Sequence, residues 1–74
     1  MKDYEVFIGP FSAHADNDEQ VRNLINEAYR RGFLSYDKAI YALEAAEDVI
    51  AGEIDHIQAD QVRIYDRARR KEVQ

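Results

Sequence analysis

Residues 4–8 read Tyr-Glu-Val-Phe-Ile and decide the fold of this chain. Their side chains alternate, with positions 4, 6 and 8 on one face, and four of the five residues are β-branched or aromatic, which predicts a β-strand. Gly9-Pro10 ends this strand, because proline has no N–H to donate, and a loop is predicted over Phe11–Ala15. A lone strand leaves its backbone groups unpaired, so it requires a partner, and the best candidate is Gln61–Asp66.

Two amphipathic helices are predicted between these strands. Asp16 is the expected N-cap of the first helix, with Glu19 at the capping-box spacing, and Gly32 is expected to end it. Ser35 is the expected N-cap of the second helix, which Gly52 ends, and the short link predicts an antiparallel helical hairpin. The expected inward faces are Val21, Leu24, Ile25, Ala28 and Tyr29 in the first helix, and Tyr36, Ala39, Ile40, Leu43, Ala46 and Ile50 in the second.

Residues 53–74 fit two structures. As a helix, they place Ile54, Ile57, Ile64, Tyr65 and Ala68 on one face. As strands, they give Gln61–Asp66 and a return strand over Ala68–Val73. The need of the first strand for a partner favours a single α+β domain over residues 1–74, with a β-α-α-β order, a possible third C-terminal strand, and a helical hairpin packed on a short antiparallel sheet. The alternative is a mostly α fold with one N-terminal strand.

The composition is acidic and contains no cysteine. The net charge of the 74 residues is −5, with 13 acidic and 5 basic side chains in residues 1–62 but 5 basic and 2 acidic ones in residues 63–74. An acidic body favours basic partners, so we expect neither direct nucleic-acid binding nor membrane binding. The N-terminus lacks the features of a secretion signal and no apolar run approaches about 20 residues, so a cytoplasmic location is expected.

The segment around Gly9 resembles several known families. Ile8–Ser12, with Asp16 and Val21 downstream, looks like the first strand and loop of nucleoside deoxyribosyltransferase-like proteins, in which such a loop meets a nucleotide. The same residues are similar to the opening of peptidoglycan-binding SPOR repeats, and Phe11–Asp16 matches a hexapeptide of β-CASP metallo-nucleases. The strands and metal ligands that these families require are missing here, so we assign no family. The first resemblance implies a nucleotide or small-ligand site at Gly9, Phe11, Ser12, His14 and Asp16.

Catalytic and metal-binding patterns are weak. The chain has no cysteine or threonine, and the serine-histidine neighbours Ser12 and His14 lack a third orienting group. His14, Asp16 and Asp18 are too few ligands for a closed metal site. We therefore expect a protein that is not an enzyme and holds no cofactor or metal.

The strongest sequence anomaly is a stretch without cations. Between Lys38 and Arg63 lie 24 residues with six acidic side chains and no lysine or arginine. At about 100° per residue, four side chains of the second helix fall within about 60° of one another, opposite its apolar face. We call them the acidic ridge: Asp37, Tyr41, Glu44 and Asp48.

The acidic ridge leads to the first of three functional hypotheses. A tyrosine flanked by carboxylates suits a basic protein surface, including that of a nucleic-acid-binding protein, so the chain is expected to be a non-catalytic interaction module. One version is a small inhibitor of the phage or mobile-element type that mimics nucleic acid. The second hypothesis is a nucleotide or small-ligand sensor at Gly9–Asp16. The third is a structural homo-oligomer in which residues 4–8 pair with a second copy.

Overall fold

The structure of the protein, a computed structural model, describes residues 2–70. These residues form a four-stranded antiparallel sheet with two helices packed on one face. The elements are β1 (Tyr4–Ile8), β2 (Phe11–Ala15), α1 (Asp18–Arg30), α2 (Tyr36–Ile50), β3 (His56–Ala59), β4 (Val62–Asp66) and the short helix α3 (Arg67–Arg70). The order of strands across the sheet is β2-β1-β4-β3. The predicted α+β class is confirmed, and the mostly α alternative is wrong.

The pairing of β1 with β4 confirms the partner predicted for the first strand. The two strands run antiparallel, with Tyr4 opposite Asp66 and Ile8 opposite Val62. β1 also pairs with β2 along its other edge. Both edges of β1 are hydrogen-bonded within the described sheet, so residues 4–8, which the third hypothesis pairs with a second copy, have no open strand edge there.

The prediction of a loop at residues 11–15 is wrong, because they form β2. Gly9 has a φ of 56°, which the first position of a tight hairpin turn requires and which glycine adopts without strain. The chain therefore reverses at Gly9-Pro10 and returns beside β1. Residues 11, 13 and 15 are apolar and alternate with Ser12 and His14, a period-2 pattern typical of a strand.

The C-terminal region gains its extra strand before β4 rather than after it. His56–Ala59 pairs with β4 through a turn at Asp60-Gln61, and Asp60 has a φ of 59°, which aspartate tolerates better than most residues. The predicted return strand over 68–73 is wrong at its beginning, because residues 67–70 are helical. Positions 71–73 of that prediction lie outside the described residues.

The helix caps agree with the prediction at α2 and differ by one residue at α1. Ser35 accepts a hydrogen bond from the backbone N–H of Lys38 at 3.3 Å. The N-cap of α1 is Asn17 rather than Asp16: its side-chain oxygen accepts the N–H of Gln20 at 2.9 Å. The Gln20 side chain accepts the N–H of Asp16 at 2.7 Å, one residue before the position that the reciprocal contact of a capping box would reach.

The buried face of α2 is rotated from the predicted one. Ala42 and Val49 are buried with Ala39 and Ala46, whereas Tyr36 and Ile40 are exposed and Leu43 and Ile50 are half-buried. Small alanine side chains allow the helix to lie close to the sheet, and large side chains on that face would hold it away. The rotation leaves bulky apolar side chains of α2 near solvent.

Ile64 lies at the centre of the core on β4 and is fully buried. We expect Ile64→Val to lower the free energy of unfolding by about 0.5–1.5 kcal/mol and Ile64→Ala by about 2–5 kcal/mol. A chain of 74 residues has a total of about 4–11 kcal/mol at about 0.05–0.15 kcal/mol per residue, so the alanine variant loses a large fraction of its stability. Urea denaturation measures both effects. Ile54→Val, at an exposed position, is the matched control and should change stability by less than about 0.5 kcal/mol. Equal losses at positions 54 and 64 would contradict the assigned core.

Candidate protein interface on the helical hairpin

The two helices form an antiparallel hairpin in which α1 and α2 contact each other. Across it, Arg22 of α1 donates two hydrogen bonds to the carboxylate of Glu47 in α2, at 2.8 and 3.1 Å. At the end of the hairpin nearest the link, the rings of Tyr29 and Tyr36 lie 6.0 Å apart in an edge-to-face arrangement. These contacts fix the two helices side by side above the sheet.

The acidic ridge faces solvent. All four of its residues are exposed, on the side of α2 opposite the buried alanines. Asp37, Glu44 and Asp48 form no ion pair with any side chain that the structure describes. Arg67, at the start of α3, binds Glu5 at 2.8 Å and no residue of the acidic ridge. The predicted ridge therefore has the geometry of an accessible and uncompensated negative surface.

Large apolar side chains lie exposed beside the acidic ridge. Of the five large hydrophobic residues that are exposed among the described residues, four belong to the hairpin: Tyr29 at 42%, Tyr36 at 64%, Ile40 at 40% and Tyr41 at 58%. Soluble proteins scatter such side chains singly, and their concentration on one face is typical of an interaction site. We call the combined area the hairpin surface: Tyr29, Tyr36, Asp37, Ile40, Tyr41, Glu44 and Asp48.

Sequence reasoning assigned three members of the hairpin surface, Tyr29, Tyr36 and Ile40, to the core. A signal against that assignment is present in α2. Its apolar positions from Val49 to Ile40 cover an arc of about 180° at 100° per residue, whereas a helix on one sheet face requires a stripe of little more than about 100°. The apolar positions of α2 that fall outside such a stripe indicate that this helix makes a second apolar contact in addition to its contact with the sheet.

The residues of the alternative ligand site do not converge. Gly9 lies at the turn end of β2 and Asp16 follows its other end, so a strand of five residues, about 17 Å, separates them. Phe11 packs on the helix side, where its ring stacks on Phe33 with centroids 6.0 Å apart. Ser12 and His14 point to the opposite face of the sheet. An open groove beside β2, which is an edge strand, contains two of the five predicted residues; it is lined by His14, Asp16, Gln20, Asn23, Leu24 and Glu27.

His14 is already engaged by neighbouring carboxylates. Its Nε2 contacts Asp3, and its Nδ1 lies 3.2 Å from Asp16 Oδ1. No group of three or more histidine, aspartate and glutamate side chains within the stretch that the structure describes is arranged to hold a metal ion. In the same residues no helix has the length and apolarity needed to cross a membrane.

The comparisons with known proteins give no functional information. No protein-family model, curated protein or solved structure matches this chain.

Glu47 differs from the ridge carboxylates because Arg22 binds it. The hydrogen bonds from Arg22 lower the pKa of Glu47 below its usual value. A carboxyl with a lowered pKa in the folded state adds stability above its unfolded pKa, and loses that contribution as the pH falls through its folded pKa. We expect Arg22→Gln to raise the pKa of Glu47 and to reduce the loss of stability on acidification in this window. Carboxyl-carbon NMR titration measures the pKa. Lys38→Gln, which removes a cation paired with Asp60, is the control and should leave the Glu47 pKa in place; an unchanged Glu47 pKa in Arg22→Gln would contradict the pairing.

Proposed function

We propose that this chain is a non-catalytic protein-interaction module that binds a basic partner through the hairpin surface. One observation supports this proposal most strongly. Four exposed apolar side chains share one face of the helical hairpin with three carboxylates that form no ion pair with any described side chain. The apolar side chains supply anchors, and the carboxylates specify the charge of the partner.

The tyrosines are the expected source of affinity. Truncation to alanine of a tyrosine that anchors the centre of an interface costs about 1–2 kcal/mol of binding free energy, and more at the strongest positions. Tyr41 lies between the carboxylates of Asp37 and Glu44 on the ridge, so a ring that docks there brings both charges to the partner. Carboxylates at the rim of an interface mainly accelerate association and select the partner, and their effect falls with salt. A partner with lysines or arginines around an apolar recess fits this arrangement.

The spacing of the carboxylates favours a basic protein surface over mimicry of nucleic acid. Asp37 and Asp48 are eleven residues apart, which is about 16 Å along a helix, and the ridge places three carboxylates over that length. One strand of DNA carries about five phosphates over the same distance. The proposal therefore concerns recognition by a cationic protein patch and does not extend to an inhibitor that replaces a nucleic acid.

A designed amphipathic helical peptide tests the hairpin surface. The peptide carries lysines on one face and leucines on the other, and a second peptide carries glutamates in place of the lysines. We expect the lysine peptide alone to bind and to shift the backbone amide resonances of α2 and of the end of α1 in ¹⁵N NMR spectra. Binding that shifts only residues outside the hairpin surface would contradict the proposal.

Variants of the hairpin surface separate the contribution of the tyrosine anchor to binding from that of the carboxylate charges. Tyr41→Ala should weaken peptide binding by about 5- to 30-fold, because truncation of an anchor costs about 1–2 kcal/mol. Glu44→Gln should slow association and flatten its salt dependence. Glu53→Gln is the matched control, because Glu53 is also exposed and forms no ion pair with a described side chain, but lies beyond the end of α2. Calorimetry gives the affinities, and stopped-flow fluorescence gives the rates. Equal association rates and equal salt dependence in Glu44→Gln and Glu53→Gln would show that the acidic ridge does not take part in binding.

A further inference from the structure

The face of the sheet that points away from the helices carries two rows of side chains that run across the strands. Both long helices pack on the other face, so in the described part of the chain no residue of this outer face is buried. The strand register places four residues in each row. One row is His14, Glu5, Tyr65 and His56, and the other is Ser12, Phe7, Arg63 and Gln58.

Aromatic rings occupy the centre of this outer face. Phe7 on β1 and Tyr65 on β4 belong to the two central strands, and their ring centroids lie 5.9 Å apart in an edge-to-face arrangement. The imidazole of His56 stacks on Tyr65 with an interplanar angle of 17°. Phe7 and Tyr65 are half-buried and His56 is exposed. Planar groups on an open sheet are the usual surface on which proteins stack unpaired bases.

Arg63 is exceptional among the cations. Of the lysine and arginine side chains at positions 2–68, Arg63 alone forms no ion pair, although the chain contains 15 acidic residues. Its guanidinium lies over the ring of Phe7, 5.1 Å from the centroid. The neighbouring Arg67 binds Glu5 on the same face. A guanidinium beside aromatic rings and without a carboxylate is suited to bind a phosphate.

The net charge of −5 led us to expect no direct nucleic-acid binding, but the fold separates the charges. The unpaired carboxylates of the acidic ridge lie on the outside of α2, at least one helix diameter, about 10–12 Å, from the outer face of the sheet. The Debye length at physiological salt is about 8 Å, so these carboxylates are largely screened from a ligand on the sheet. On the sheet face itself, Glu5 is paired with Arg67, and Asp55 contacts His56 Nδ1 at 2.7 Å, whereas the guanidinium of Arg63 beside Phe7 has no carboxylate partner among the described residues.

We infer that this face, the sheet platform of Phe7, Tyr65, His56 and Arg63, binds single-stranded nucleic acid. Bases stack on the aromatic rings, and a phosphate of the backbone pairs with the guanidinium of Arg63. Duplexes do not fit this mode, because their bases are already stacked on one another. The inference is independent of the hairpin surface, since none of these four residues belongs to it.

Fluorescence anisotropy with labelled single strands tests the sheet platform. The probe is an oligodeoxythymidine of about ten nucleotides, measured with the full chain between about 50 and 200 mM salt. We expect Arg63→Gln to weaken binding and to lower the slope of log K against log salt by about 0.7, the value for one phosphate contact on a single strand. Arg30→Gln, which removes the same charge from an exposed position on α1, is the matched control and should change neither quantity.

Phe7→Leu keeps an apolar side chain on β1 and removes the ring. It should weaken binding by about fivefold or more, since stacking contributes about 1–3 kcal/mol per base. Tyr41→Ala on the hairpin surface should bind the single strand with the same affinity as the parent protein. The sheet platform and the hairpin surface are therefore tested independently of each other. Circular dichroism confirms that each variant is folded.

Four results would overturn the inference. They are no binding at about 50 mM salt, equal affinity for a duplex of the same sequence, thymidine monophosphate binding as tightly as the oligomer, or affinity that neither Arg63→Gln nor Phe7→Leu changes. Amide shifts of β1 and β4 that depend on protein concentration without nucleic acid, together with a dimer in sedimentation, would instead assign this face to a second copy.

Discussion

The pairing of β1 with β4 is the constraint on which the rest of the structure depends. These strands are the two central members of the sheet, yet the residues that face each other are up to 62 positions apart, as with Tyr4 and Asp66. Each central strand brings its own hairpin partner, so the pairing joins two hairpins into one sheet. Both helices cover the resulting apolar face. Without this ladder neither hairpin presents enough apolar surface to hold a helix.

The elements that the sequence predicts correctly are those whose signals lie within a few neighbouring residues. The alternation at residues 4–8 and the cap at Ser35 are local signals, and the need of β1 for a partner identified β4 correctly. β2 was missed because Gly9-Pro10 was interpreted as the end of a strand rather than as the turn of a hairpin. β3 was missed because His56–Ala59 contains one β-branched residue in four and acquires its strand structure from the neighbouring β4.

The candidate interface was predicted only in part, for a physical reason. The acidic ridge follows from angular spacing on a helix, which the sequence specifies completely. The exposed apolar members require the rotation of α2 about its axis, and the burial of Ala42 and Val49 in the core defines that rotation. The outer face of the sheet was not foreseen, because Phe7, Arg63 and His56 come together only through strand register. Among the residues that the structure describes, the two-layer architecture then places carboxylates without ion pairs on the helices and a guanidinium without one on the sheet, so its two sides differ chemically.

The turn at Gly9 has a further consequence for the order in which the chain acquires its structure. The N–H of Gly9 donates to the carbonyl of Gln61 at 3.1 Å, so the first reversal of the chain is tied to the last one. On the ribosome, a nascent chain that has emerged as far as Ile50 contains β1, β2 and both helices, but one edge of β1 is still open and this bond has no acceptor. The sheet can close only after translation has passed residue 66. Until then the open edge of β1 can pair with strands of other nascent chains.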